Sequence, residues 1–281
     1  MRLRSLLFVP GDRPDRMLKA AGTAADALIL DLEDSVTADR KDFARCAVAD
    51  FLGRAVRPQP LFVRINPLGS GLADDDLAAV IGGGPDGIVL PKSESGALVG
   101  ELAARLQALG DDRALILPIA TETPAAVFGL GSYAGVSPRL CGLTWGAEDL
   151  PAAIGAATAR EDDGSYTAPY QMVRALLLFG AHAAGVPAIE TVYPAINDPD
   201  GLARYAARGQ RDGFTGMMAI HPSQVALINR AFSPSAEEIA WAEQVVALFD
   251  NNPGIGSFNL NGTMVDAPHL KQAMRILALR P

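Results

Sequence analysis

Eight short segments of aliphatic and β-branched residues, separated by stretches with helical spacing, constrain this chain more than any other feature. They are Ser5–Val9, Ala27–Leu32, Leu61–Ile65, Gly87–Leu90, Ala114–Ile119, Leu140–Trp145, Ala188–Thr191 and Thr215–Ile220. Each is nearly continuously apolar rather than alternating, the pattern of a strand covered on both faces. Between them, Asp39–Leu52, Asp74–Ile81, Ser95–Leu109, Tyr170–Ala184 and Pro199–Arg208 carry the apolar spacing of amphipathic helices. Strand and helix in alternation predict an α/β fold, a closed (β/α)8 barrel of the TIM type, with an open doubly wound sheet as its rival. The 281 residues suffice for one such domain and a large core.

Beyond the eighth segment, Pro222–Phe232 and Glu237–Phe249 read as helices. Residues 251–256 then break the pattern with Asn, Pro and Gly, and Ala267–Leu279 forms a last amphipathic stretch. This divides the chain into a barrel domain, 1–250, and a C-terminal helical extension or lid segment, 251–281. The polar run Asn259–Asp266 reads as a loop. So short an appendix is expected to lack a core of its own and to pack on its barrel or on a neighbouring subunit, which makes a homo-oligomer plausible.

Charge and cysteines exclude several classes. A formal charge of −8 repels polyanions, and no local basic patch argues for nucleic acid. Cys46 and Cys141 have neither CxxC nor Cys/His spacing, in keeping with a reducing, cytoplasmic setting. The apolar part of the N-terminus, Leu6–Val9, is too short for a secretion signal, and Ala175–Ile189 is interrupted by Gly180, Gly185 and Pro187. No membrane association is expected.

In a parallel barrel the loops after the strands share one mouth, so titratable residues there carry a raised functional expectation. Taken in order they are Asp12 and Arg13; Asp31, Glu33 and Asp34; Arg64 and Asn66; Lys92; Glu122; Glu148 and Asp149; Glu190 and Tyr193; and His221. Glu122 and Asp149 each follow an apolar segment and could together hold a hard divalent cation. Each could instead cap the helix that Pro124 or Pro151 begins. Oxygen donors without a His or Cys cluster favour Mg²⁺ over zinc. Asp31 and Glu33 share a strand face, either behind metal-bound water or as helix caps. Arg64 lies in an apolar strand, where an unpaired guanidinium is too costly to bury. It must meet one of these carboxylates or grip an anionic substrate, and the planar fork favours the second. Lys92 fits structural or electrostatic service better than Schiff-base chemistry. His221 serves capping and catalysis equally well, whereas His182 and His269 read as bystanders on helices. The glycines of residues 82–87 match a nucleotide fingerprint formally, but they precede their strand instead of following it.

These residues also carry a family resemblance. Arg4–Arg16 with Lys19, Asp31–Val36, Val63–Asn66, Pro91-Lys92, the segments around Glu122 and Gly146–Asp149, and Ala219–Gln224 together resemble the CitE-like branch of the HpcH/HpaI aldolases. That branch holds citrate lyase β subunits, malyl-CoA lyases and citramalyl-CoA lyases. The resemblance implies a Mg²⁺-dependent carbon–carbon lyase that reversibly cleaves 3-hydroxyacyl-CoA thioesters, giving acetyl-CoA and glyoxylate or pyruvate. It implies Glu122 and Asp149 as metal ligands, with Glu122 also at the substrate, and Arg64 as the substrate-gripping arginine. Glu33 and Asp34 then order metal-bound water, and Arg13, Arg16 and Lys19 meet the CoA moiety. Gly262–Pro268 resembles a lid whose aspartate, Asp266, completes a neighbouring subunit's site as general acid/base, within a homotrimer or homohexamer. Met217 and Glu190 depart from the family, which has lysine and aspartate there. Alternatives on the same scaffold are a citrate lyase β subunit acting on a carrier-protein thioester, a malyl-thioester hydrolase, and a non-catalytic metabolite-binding regulator.

Overall fold

The computed structural model describes residues 1–54 and 57–280; Pro281, the end of the expected lid segment, lies outside them. The eight predicted strands are all present: β1 (Ser5–Pro10), β2 (Ala27–Asp31), β3 (Leu61–Arg64), β4 (Gly87–Leu90), β5 (Leu115–Pro118), β6 (Leu143–Thr144), β7 (Ala188–Glu190) and β8 (Gly216–Ala219). They form one sheet in the order β5-β4-β3-β2-β1-β8-β7-β6, and every ladder is parallel. Leu6, Ala27, Ile29, Phe62, Val89, Leu117, Ile189 and Met218 pack together in its buried core.

The sheet curls into a nearly closed barrel whose seam lies between β5 and β6. Isolated bridges join Ile116 to Leu140 and Ile119 to Thr144, where a regular ladder would otherwise run. The backbone explains the break. Ile116 and Ala120 both donate their N–H groups toward β6. Pro118, midway between them on the same edge, has no N–H to donate. The predicted strand Leu140–Trp145 is correspondingly shortened to two residues.

Helices connect the strands: α1 (Pro14–Ala21), α2 (Lys41–Leu52), α3 (Ala73–Val80), α4 (Gly96–Ala108), α5 (Pro124–Gly129), α6 (Leu150–Ile154), α7 (Ala168–Ala183), α8 (Pro199–Asp212) and α9 (Pro222–Ala231). Helices α1, α5 and α6 lie outside the stretches with helical spacing, although Pro124 and Pro151 marked the starts of α5 and α6. They span eight, six and five residues, too few for a periodicity to show, and each begins with Pro in its first turn. No helix among the described residues is long and apolar enough to cross a membrane.

The chain divides into two compact units, 1–229 and 230–281. The second unit holds α10 (Ala236–Asn251), strands β9 (Ser257–Leu260) and β10 (Thr263–Asp266), and α11 (Ala267–Ala278). In it α10 and the segment after it share a small core, in which Ala242, Val245, Val265 and Ala273 are buried. Phe249 meets Phe258 edge to face at 4.9 Å beside it. The run 259–266 is a hairpin and not a loop. Its turn is Asn261-Gly262, with φ of +53° and +86°, the conformation that this pair adopts most readily between antiparallel strands.

Candidate metal centre and active site

A cavity of about 460 Å³ lies in the first unit, among residues at the carboxyl ends of the strands. Glu122, Asp149, Arg64, Asp31, Asp34 and Arg16 all line it, beside Phe8 and Ile119. The size suits a small organic substrate, and the convergence of charge on an otherwise apolar wall is what a binding site requires.

Asp149 is near enough to Glu122 for its charge to bear on the Glu122 carboxyl. Neither is spent on capping. The cap of α5 is Thr123, whose hydroxyl accepts the Ala126 N–H at 3.2 Å. Asp149 occupies the cap position of α6, but its side chain makes no capping hydrogen bond. Glu122 is 4% exposed, and burial is the main reason that its carboxyl is pushed up to about 8. The Lys92 N–H, which donates to Oε2 at 2.5 Å, works against that rise, while the charges of Glu33 and Asp149 add to it. Asp149 is half-buried, and two neighbouring acids of which one is buried are costly alone and favourable around a divalent cation.

The residues fit Mg²⁺. All the donors are carboxylate oxygens, and no group of three or more His, Cys, Asp or Glu side chains among the described residues makes a closed cage. Mg²⁺ commonly takes one or two carboxylates and completes its shell with water and substrate. Gly146 supplies a cradle, because a Cβ there would stand 2.6 Å from Glu122 Cγ.

Arg64, which lines the same cavity, meets three other carboxylates. The register of β2 and β3 sets Asp31 opposite Arg64, and the two form a bidentate pair with both distances 2.7 Å. Nη1 lies 3.0 Å from Glu33 Oε2 and 3.5 Å from Asp34 Oδ2, and the guanidinium stacks 4.8 Å above the Phe8 ring. Burial works against the Arg64 charge, but these three acids outweigh it and hold the group above its ordinary value. Burial likewise lifts the Glu33 carboxyl, against the pull of Arg64 and Lys92. Arg64 therefore has the carboxylate partners that the sequence allowed, and it still lines the cavity.

The remaining candidates separate. Arg13, Arg16 and Lys19 are exposed at spacings of three on and just before α1, and Arg16 alone of them lines the cavity. Arg13 pairs with Asp15. His221 is occupied locally, its Nδ1 2.7 Å from Ser223 Oγ. Asp266, in the second unit, caps α11 and lies 2.6 Å from His269 Nδ1. His269 is thus no bystander. Its signal was the spacing of three from an N-cap acid, where histidine stands in for the usual Glu or Gln. Met217 is buried in β8. Glu190, also buried, takes Arg174 Nε at 2.7 Å and the Tyr205 hydroxyl at 2.9 Å. Sequence reasoning also left out Lys41, whose ammonium donates to the carbonyls of Leu32 and Glu33 and to Asn66 Oδ1 at 2.6–2.9 Å.

The chain is similar to known proteins in sequence and fold. Residues 4–222 match the model of the HpcH/HpaI aldolase/citrate lyase family. A citrate lyase subunit beta-like protein of Mycobacterium tuberculosis is 39% identical, over 96% of this chain and 93% of its own length. Human mitochondrial citramalyl-CoA lyase is 33% identical, over 98% of this chain and 85% of its own. A crystal structure of M. tuberculosis CitE in complex with magnesium, acetoacetate and coenzyme A superposes with a TM-score of 0.82 at 37% identity, covering 98% of this chain and 97% of that one. The resemblance read from the motifs is borne out: this chain belongs to the HpcH/HpaI aldolase/citrate lyase family.

Proposed function

We propose that this chain is a Mg²⁺-dependent carbon–carbon lyase of the oxo-acid-lyase type, acting on a 3-hydroxyacyl-CoA thioester such as malyl-CoA or citramalyl-CoA. The products are acetyl-CoA and glyoxylate or pyruvate, and the reverse reaction is the Claisen-type condensation. The observation that carries this reading is the pair of buried Glu122 and half-buried Asp149, free of capping duty and lining one cavity with Arg64.

Cleavage between an acetyl thioester unit and a 2-keto acid expels an enolate, so negative charge must be met where it develops. Glu122 and Asp149 would hold Mg²⁺, which when bound neutralises the substrate's carboxylate and adjacent oxygen. Arg64 opposes negative charge from the other wall, with its orientation fixed by Asp31. Glu33 and Asp34 lie on that side, as groups that order water around the cation. Arg13, Arg16 and Lys19 give the exposed face of α1 the charge to meet CoA phosphates. Asp266, supplied by the lid of a second copy of the chain, protonates the departing enolate and in the condensing direction removes the acetyl proton.

A second reading is favoured by the citrate lyase relationship: a β subunit that releases oxaloacetate from a citryl carrier-protein thioester. The experiment that separates them measures keto acid released from malyl-, β-methylmalyl- and citramalyl-CoA with no carrier protein present. Release from at least one of them supports the free-standing enzyme. No release without carrier protein, and oxaloacetate from citryl carrier protein, would put the second reading in its place.

A further inference from the structure

Lys92 has one of the two positive φ values among the described non-glycine residues, +49°, and the other belongs to the hairpin turn. An L-residue with a long side chain is uncommon there and is held by its surroundings. The fastening is visible on both sides. Pro91 precedes it with a fixed φ. Ser93, which follows, is fully buried, donates its N–H to Ile119 O at 3.1 Å, and takes the Tyr133 hydroxyl at both its carbonyl (2.7 Å) and its Oγ (2.9 Å). The turn is thereby locked against the end of β5.

Two consequences follow from that backbone. The Lys92 N–H donates to Glu122 Oε2, and the side chain runs the other way to place its ammonium 2.7 Å from Glu33 Oε1. The other Glu33 oxygen faces Arg64. Main chain and side chain of one residue therefore hold two buried acids, one of which, Glu122, lines the cavity. Among the described residues Glu122 takes no other backbone N–H, and Arg64, which faces the second Glu33 oxygen, is itself paired bidentately with Asp31.

We propose that Lys92 is the positioning residue of this centre: its left-handed turn aims an N–H at Glu122 and its ammonium fixes Glu33, so that one residue sets both acids. The proposal rests on Glu122 being a metal ligand. It assigns the two arms different effects, the main chain acting on metal affinity and the ammonium acting on turnover through Glu33.

Lys92→Gly keeps the N–H, is at ease at positive φ and lacks the ammonium. It should leave Tm unchanged or higher and Mn²⁺ affinity, followed by electron paramagnetic resonance, within threefold of the wild type. Its kcat should fall about 10- to 100-fold, the range found when a supporting group behind a metal site is lost, with a smaller change in KM. Lys92→Arg should recover at least half of that loss on a logarithmic scale. Lys92→Pro removes the N–H and forbids the turn, and should weaken Mn²⁺ binding more than about tenfold. If it does not fold, Lys92→Val, which also resists positive φ, is measured instead. A Lys92→Gly kcat within threefold of the wild type overturns the ammonium arm. Wild-type Mn²⁺ affinity in a folded Lys92→Pro or Lys92→Val chain overturns the main-chain arm. A wild type that binds Mn²⁺ but cleaves no thioester would refute the proposed reaction instead, and the metal titrations would still decide the main-chain arm.

Discussion

Gly146→Ala tests the geometry of the metal centre with a single methyl group. An ideal Cβ at position 146 lies 2.6 Å from Glu122 Cγ and 3.3 Å from its Cδ and Oε1, whereas ordinary contact begins at 3.4 Å. Glu122 must therefore retreat by about 0.8 Å, the difference between 3.4 and 2.6. It cannot simply rotate away, because Lys92 N–H holds its far oxygen and the cavity wall is close-packed. Mg²⁺ demands near-ideal octahedral geometry, and a displacement near 1 Å at a reacting centre costs about 100-fold. The backbone itself accepts alanine, since Gly146 is not among the glycines with positive φ. The variant should fold, with Tm within a few degrees of the wild type, and bind Mg²⁺ on the order of 100-fold more weakly by calorimetry. Affinity within threefold of the wild type in a folded variant would refute the claim that Glu122 is held in place for a cation.

Three further outcomes are expected. Because burial holds Glu122 near 8, its neutral form stabilises the metal-free fold at low pH, a contribution lost as the pH rises through that value. Metal needs the charged form, so Mg²⁺ affinity should fall about tenfold per pH unit below pH 8, with nearly one proton released per ion at pH 7, as buffer-dependent calorimetry would reveal. Pairing with Arg64 outweighs the burial of Asp31 and holds its carboxyl below the ordinary range. Asp31→Asn leaves that guanidinium with only Glu33 and Asp34, so stability should drop by about 3 kcal/mol, a fall in Tm of about 6–12 °C by calorimetric scan. An unchanged Tm would show that the pair contributes nothing net. Asp266→Asn should abolish turnover while leaving Mg²⁺ binding as in the wild type, and near-normal rates would remove Asp266 from the reaction.

The strands were legible because a barrel covers both faces of each one, which writes unbroken apolar runs into the sequence. The seam was not, because it depends on which edge of β5 Pro118 occupies, and that is set by register. Register also decided Arg64: only the pairing of β2 with β3 brings Asp31 opposite it, so composition alone left two partners open. The Asn261-Gly262 turn was readable in principle. The run 259–266 nevertheless reads as a loop, because β10 keeps mostly exposed or half-exposed residues without an alternating apolar face and β9 is only four residues long. The freedom of Asp149 from capping and the left-handed turn at Lys92 are matters of backbone angle, to which residue type is a weak guide. The pair Glu122 and Asp149 stood out at strand ends, yet the burial of Glu122 and the effect of Asp149 on its carboxyl needed coordinates.

The central claim is that carbon–carbon cleavage depends on a cation held by Glu122 and Asp149. The most direct measurement is a Mg²⁺ titration of keto-acid release from the best thioester substrate, run on the wild type and on Asp149→Asn. The wild type should be silent in EDTA and saturate as Mg²⁺ is added, while Asp149→Asn should require more than about 100-fold more Mg²⁺ or release nothing. Cleavage by the wild type in EDTA, or superimposable curves for the two proteins, would contradict it.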